Sequence, residues 1–237
     1  MTNKRLSGRI ALVTGASRGI GRAVARRFAA EGARLILVAR TSGGLEEVDD
    51  EVRNAGGEPA MLVPLDLCQG DLVDQLGAAL HERFGRLDIL VGNAAMLGGL
   101  RPVGHYPPDV WENVIALNLT ANWRLIRSLD PLLRLSTAGR AMFVTSGVTE
   151  GTPPAYWGAY TASKAALEAL VRTYAAELKR TDLKVNVIDP GASATNMRAE
   201  AFPGEDPNIL ATPDEITELF VALAEASYDE NGAKLFV

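Results

Sequence analysis

Tyr160 and Lys164 stand four residues apart in Tyr160-Thr161-Ala162-Ser163-Lys164, at the opening of a segment with helical periodicity. That spacing sets a phenol and an ammonium on one helix face, a turn apart. An ammonium beside a phenol favours the phenolate and lowers its pKa from about 10. Bringing it near neutrality takes about 4 kcal/mol of differential stabilisation. Such a phenol can donate a proton to a developing alkoxide or take one from an alcohol. The same spacing also describes a packed Tyr with a Lys stem lying along it, so the pair needs company to mean anything. Tyr156, one turn earlier, is a poorer candidate, because the residue four places on is Tyr160 and not a lysine.

Company is found near the N-terminus. Thr14-Gly15-Ala16-Ser17-Arg18-Gly19-Ile20-Gly21 joins a short apolar run to a helical pattern. Glycines permit a tight turn and close backbone approach, and the free N–H groups of a helix start favour an anion such as a phosphate. Gly15, Ser17, Arg18, Gly19, Ile20 and Gly21 are therefore candidate dinucleotide contacts, although the turn could also be an ordinary strand-to-helix connection. The second apolar run ends Val38-Ala39-Arg40, where an acid would read the ribose 2′-hydroxyl of NAD. The next acid is Glu46, whereas Arg40 and Arg18 would suit a 2′-phosphate. Unless both are solvated surface arginines, NADP(H) is favoured over NAD(H) as cofactor.

These residues need a scaffold, and the sequence carries a rhythm that supplies one. Near-continuous apolar runs lie at 9–13, 34–39, 60–65, 87–92, 141–145, 184–188 and 234–237. Strands buried on both faces read this way. Amphipathic stretches separate them: 21–30, 71–84 with Leu72, Leu76, Ala79 and Leu80 on one stripe, and 162–178. The alternation predicts an α/β fold, a Rossmann-type doubly wound parallel sheet of about seven strands with helices on both faces. Seven such strands fill 237 residues, so 1–237 reads as a single domain holding both the dinucleotide site and the catalytic site.

Composition removes several classes. A net charge of −5, with no basic block, argues against nucleic acid as a ligand. No apolar stretch reaches the roughly 18 residues of a membrane span and no signal-peptide core opens the chain, so a cytoplasmic protein without a membrane partner is expected. One cysteine forbids an internal disulfide, and Cys68 reads as a small packing residue. His81 and His105 have no second ligand at metal spacing, so no metal is expected.

Taken in order along the chain, these motifs resemble the short-chain dehydrogenase/reductase family over nearly the whole chain, from Ser7 to Val237. The 14–21 turn is similar to its cofactor loop. Asp66-Leu67 resembles its adenine-contacting pair, and Gly92-Asn93-Ala94-Ala95 its Asn-Ala-Gly motif. Asn118, Ser146, Tyr160 and Lys164 are similar to its catalytic tetrad, and Pro190-Gly191 with Thr195 to its nicotinamide-side loop. The resemblance implies an oxidoreductase interconverting a carbonyl and a secondary alcohol by hydride transfer. In it, Tyr160 exchanges the proton, Ser146 holds the substrate oxygen, and Lys164 binds the nicotinamide ribose and depresses the Tyr160 pKa. Asn118 holds a water of a proton relay. The substrate implied is a small carbonyl or alcohol compound, covered by a loop at 195–213. A homo-oligomer, dimer or tetramer, is implied through helices around 111–135 and the Ala-rich face of Ala162, Ala165, Ala166 and Ala169.

Three departures qualify the resemblance. Ala95 stands where the family motif ends in Gly. Ser146 precedes Tyr160 by fourteen positions where thirteen is usual, which implies a one-residue insertion near Thr152-Pro153-Pro154. Were the strand one residue longer instead, Gly147 would take the hydroxyl's place, with Thr145 the nearest substitute. The family commonly continues for several residues past the strand that Val237 ends here. An alternative reading is thus a catalytically impaired dinucleotide-binding sensor or structural protein on the same fold. A nucleotide-sugar epimerase or dehydratase is disfavoured, because no separate substrate domain is present.

Overall fold

Strand β1 (Ile10–Thr14) begins the sheet, and all five of its residues are buried. The computed structural model describes residues 4–237. Six further strands follow: β2 (Arg34–Ala39), β3 (Met61–Pro64), β4 (Ile89–Gly92), β5 (Arg140–Val144), β6 (Lys184–Asp189) and β7 (Lys234–Phe236). They form one sheet in the order β3-β2-β1-β4-β5-β6-β7, and every pairing is parallel. Thr14 pairs with Val38, and Val144 with Ile188, so the carboxyl ends of the central strands finish level with one another.

Helices cover both faces. Val73, Leu76 and Leu80 of α3 (Gly70–Phe84) share a core with Leu125 and Leu129 of α5 (Ala121–Arg134) and with Leu167 and Val171 of α6 (Gly158–Glu177). The opposite core is filled by Val24 and Phe28 of α1 (Gly19–Ala30), Leu45 and Val48 of α2 (Ser42–Asn54), and Phe220 and Val221 of α8 (Thr217–Ala224). The remaining helices are α4 (Pro108–Ile115) and the short α7 (Asn196–Ala201). Among the described residues no helix is long and apolar enough to cross a membrane. The chain leaves β1 in one direction to β2 and returns to β4 on the other side. A crevice is therefore left at the carboxyl ends of β1 and β4, where open α/β sheets bind ligands.

Where sequence and structure differ, the reasons are local. Leu72 does not join the α3 stripe, and 42% of it is exposed. The inward line runs Val73, Leu76, Gly77, Leu80, because Gly77 is where α5 comes closest: its N–H donates to Ser128 Oγ at 3.0 Å, and a Cβ there would lie 2.3 Å from the Ser128 carbonyl oxygen. Cys68 is exposed and packs in no core. Helix α6 begins at Gly158, four residues before the amphipathic pattern at 162, so Tyr160 lies within its first turn. The helix expected around 111–135 is interrupted by one π-type turn, Ala116–Thr120.

Candidate active site

The turn between β1 and α1 is shaped by what its glycines lack. Gly15 adopts φ 63°, and a Cβ at Gly21 would fall 2.3 Å from the Gly15 carbonyl oxygen and 2.6 Å from Asn93 Nδ2. Only hydrogen fits there. Buried Thr14 ties the ends of β1 and β4 together: its Oγ1 donates to the Val91 carbonyl at 3.1 Å and accepts the N–H groups of Asn93 (2.9 Å) and Ala94 (3.1 Å). Asn93 answers by donating from Nδ2 to the Thr14 carbonyl at 2.9 Å. The Asn93 side chain is thus a fastening across the crevice.

A cavity of about 1580 Å³ opens along the carboxyl edge of the sheet. Gly15, Ser17, Arg18, Gly19, Ile20, Arg40, Asp66 and Leu67 line one end, Asn93, Ala94 and Ala95 the middle, and Ser146, Tyr160, Lys164, Pro190, Gly191 and Thr195 the other. Two of the residues singled out from sequence, Gly21 and Asn118, lie behind the wall instead. The Asp66 Oδ1 accepts the Cys68 N–H at 3.0 Å, and Gln69 precedes α3. Arg18 and Arg40 are exposed and, among the described residues, meet no carboxylate, whereas neighbouring Arg22 and Arg26 are paired with Glu51. Thr195 N-caps α7 through its Oγ1, and a Cβ on Gly19 would lie 3.6 Å from the Thr195 methyl, so the two loops close over the cavity.

At the far end β5 stops at Val144, and Ser146 opens a single 3₁₀ turn, Gly147–Thr149. Ser146 faces the cavity with Tyr160 and Gly147, and its hydroxyl lies near enough to the phenol to pull the Tyr160 pKa down. Tyr160 is 6% exposed and packs with Leu97 and Ala201, and Trp157 meets its ring edge-on at 5.9 Å. Burial pushes the Tyr160 phenol up to about 12; the Ser146 bond pulls it down, and the Asp189 carboxylate adds a smaller upward push. This reverses the direction expected from the Tyr-Lys spacing. Lys164 Nζ sits 5.7 Å from the ring centroid and is directed to the Val144 carbonyl, to which it donates at 2.8 Å. Burial lowers Lys164 itself to about 8, with Glu168 opposing.

Asn118 is fully buried and occupies the π-type turn. Its Oδ1 accepts the Met96 N–H at 2.9 Å, and its Nδ2 donates to the Met96 carbonyl and to Ser163 Oγ, both at 3.0 Å. The side chain therefore holds the loop after β4 against α6. Its own carbonyl accepts Asn122 Nδ2 at 2.8 Å. Three contributors were missed from sequence. Asn122 gave no signal. Asp189 stands immediately before Pro190-Gly191, where its Oδ1 accepts the Gly191 N–H at 3.0 Å. Glu168 lies four residues after Lys164, a spacing that does mark a shared helix face.

The donor set and the glycine cradle fit a dinucleotide: N–H groups at the start of α1, two guanidiniums without a carboxylate partner among the described residues, and a hydroxyl, a phenol and an ammonium at the opposite end. Residues 9–206 match the family model for short chain dehydrogenases. The chain belongs to the short-chain dehydrogenase/reductase family. It is an oxidoreductase of the CH–OH/C=O class with the seven-stranded sheet of that family. The chain is 40% identical over 221 residues to the uncharacterized oxidoreductase YciK of Escherichia coli K12, covering 92% of this chain and 86% of that one. It is 34% identical over 249 residues to the uncharacterized NAD-dependent oxidoreductase Rv0687 of Mycobacterium tuberculosis H37Rv, covering 92% and 90%. Among solved structures, a short chain dehydrogenase from Escherichia coli CFT073 complexed with NADPH superimposes with a TM-score of 0.95 at 37% identity, covering 100% of this chain and 99% of that one.

Proposed function

We propose that this protein is an NADP(H)-dependent oxidoreductase that interconverts a carbonyl and a secondary alcohol, with Tyr160 as the acid/base. The observation that carries the reading is one cavity with Arg18 and Arg40 at one end and Ser146, Tyr160 and Lys164 at the other. Arg18 and Arg40 would hold a 2′-phosphate, as the NADPH bound to the CFT073 relative also suggests, while the Rv0687 relative is named for NAD. Ser17, Gly19 and Ile20 would present main-chain N–H groups to the pyrophosphate, and Thr195 and Pro190-Gly191 would orient the carboxamide. The nicotinamide, when bound, supplies or accepts the hydride.

The chain's own groups do the rest. Tyr160, held near 12, keeps its proton at neutral pH and donates it to an oxygen that becomes an alkoxide. Ser146 donates a hydrogen bond to that same oxygen and fixes it within reach of the phenol. Lys164 keeps an ammonium beneath the ring and binds the ribose hydroxyls. Asn118, through Met96, sets the loop on which Ala94 and Ala95 face the cavity. Trp157 and Phe202, 5.7 Å apart, together with Met197, form an apolar cover under the 195–213 segment that suits a small or medium carbonyl compound. The exposed Ala162, Ala165 and Ala169 of α6, with Trp123 of α5, offer the face of a homo-oligomer.

Fluorescence titration with NADPH and NADH in parallel tests the cofactor choice. Saturable NADPH binding with much weaker NADH supports it; the reverse order overturns it. Tyr160→Phe should abolish turnover with NADPH binding nearly intact, and substantial residual kcat would remove Tyr160 from its role. The impaired-sensor alternative loses its motive with Ser146 beside Tyr160, and it would return if bound NADPH were never oxidised by any ketone in a broad panel.

A further inference from the structure

Behind the wall of the cavity lies a second charged cluster centred on Glu168 and Lys234, which reaches the lining only through Thr145 and Glu150. Glu168 is buried on α6, one turn beyond Lys164, and a single oxygen, Oε1, accepts from Thr145 Oγ1 at 2.5 Å, Thr149 Oγ1 at 2.6 Å and Lys234 Nζ at 3.0 Å. Lys234 comes from β7, and its side chain is 6% exposed. It also donates to Thr149 Oγ1 at 2.8 Å and pairs with Glu150. The other Glu168 oxygen lies 3.9 Å from Arg172.

The partners of Glu168 are the residues on either side of Ser146. Val144, Thr145 and Ser146 are consecutive, and each is gripped from the same direction. Lys164 donates to the Val144 carbonyl, and Glu168 takes the Thr145 hydroxyl. Thr149, whose one proton can go to Glu168 or to the Ser146 carbonyl at 2.9 Å, holds the third. Two charged side chains one turn apart on the helix of Tyr160 thus fix where β5 ends and where the Ser146 hydroxyl points. We propose that Glu168 is a positioning residue for the Ser146–Tyr160–Lys164 group, fastening the Ser146 turn and the last strand to the helix that carries the phenol and the ammonium. This rests on the role proposed above for those three residues.

The charge works in the same direction. Burial pushes the Glu168 carboxyl up, but the bonds from Thr145, Thr149 and Lys234 outweigh it and keep it ionised. Lys164 is buried and faces the Tyr160 ring, and Glu168 is the one carboxylate acting to keep it protonated against burial. Asp189 acts on Tyr160 from β6, and Glu150, Arg172 and Lys234 surround Glu168.

The test needs neither substrate nor cofactor. The chain has five lysines and five tyrosines, so protein labelled with ¹³C at lysine Cε and tyrosine Cζ gives few resonances, assigned with Lys164→Met and Tyr160→Phe. In Glu168→Gln the Lys164 titration midpoint should fall by about half a pH unit or more, a threefold loss of proton affinity. In Thr145→Val, which removes only a hydroxyl that Glu168 holds and leaves the carboxylate in place, the Tyr160 Cζ resonance should move as the Ser146 turn shifts. Lower thermal stability with both resonances where the unmodified protein has them would overturn the proposal. If Glu168→Gln does not fold, Thr145→Val decides alone: a moved Tyr160 resonance supports the proposal and an unmoved one ends it. The NADPH titration of the unmodified protein stands apart. Failure to bind there would refute the proposed function and leave these two resonances to decide the positioning of the group.

Discussion

Asn118 engages both main-chain groups of Met96, accepting its N–H at 2.9 Å and donating to its carbonyl at 3.0 Å, from a helix turn that is widened at that one place. The contact joins the loop after β4 to the helix pair beneath it, and through Ser163 to the helix of Tyr160. Replacing Asn118 with Ala leaves the buried polar groups of this junction unpaired, which costs about 2–3 kcal/mol. Denaturant unfolding of Asn118→Ala should show that loss, and NADPH titration should show weaker binding because Ala94 and Ala95 ride on the same loop. A stability change under about 0.5 kcal/mol would mean the junction is held by other contacts.

Arg40 directly follows β2, beside Thr41 in the cavity lining, with no carboxylate partner among the described residues. A charge reversal there acts on a 2′-phosphate and hardly at all on a 2′-hydroxyl. Arg40→Asp should raise the NADPH dissociation constant by at least tenfold and change that for NADH less than threefold, where charge-assisted bonds are worth about 1.5–3 kcal/mol. Equal losses for the two cofactors would show that Arg40 serves only the fold of the loop.

What could be read from sequence is what is local. The apolar runs announced all seven strands: the five inner ones are buried on both faces and leave few polar positions to blur them, and the edge strands β3 and β7, though only partly buried, are short apolar runs as well. Tyr160, Lys164, Arg40 and most of the 14–21 turn, singled out by residue type and spacing within one turn of chain, all come to line one cavity. What escaped depends on contacts distant in sequence. Asn118 widens its helix to meet Met96, 22 residues away, and Glu168 finds its lysine 66 residues later on another strand. The Tyr160 pKa escaped for a related reason. Proximity in sequence placed Lys164 under the ring, but burial of the phenol decided the balance. Leu72 failed because the helix turned its glycine, not its leucine, toward α5.

Lys164 makes folding stability depend on pH in an unusual direction. Its pKa falls from 10.5 in the unfolded chain to about 8 in the folded protein. Between those values the unfolded chain holds the extra proton, so stability rises with pH across that window. Relative to Lys164→Met, the unmodified protein should gain about 3 kcal/mol between pH 7 and pH 10.5. Urea midpoints for the two proteins across that range measure it. A constant gap would mean the ammonium is not desolvated as its burial implies.

Asp88, at the opposite end of the sheet from the cavity, gives the complementary case. Its Oδ2 accepts the Ile10 N–H at 2.9 Å, and its Oδ1 accepts Ser136 Oγ at 2.6 Å and Arg86 Nε at 3.0 Å. Burial alone would raise its pKa, but these bonds outweigh burial and lower it. The carboxylate is therefore bound more tightly folded than unfolded. Its contribution is complete above the unfolded value of about 3.9 and is lost as pH falls through the lower folded value. Asp88→Asn should cost about 3 kcal/mol at pH 7, since it leaves Arg86 and the nearby Arg9 without their counter-charge. The difference between the two proteins should narrow on acidification below about pH 4, as the native carboxyl takes up its own proton. A cost that persists unchanged at pH 2.5 would assign the effect to side-chain packing and not to charge.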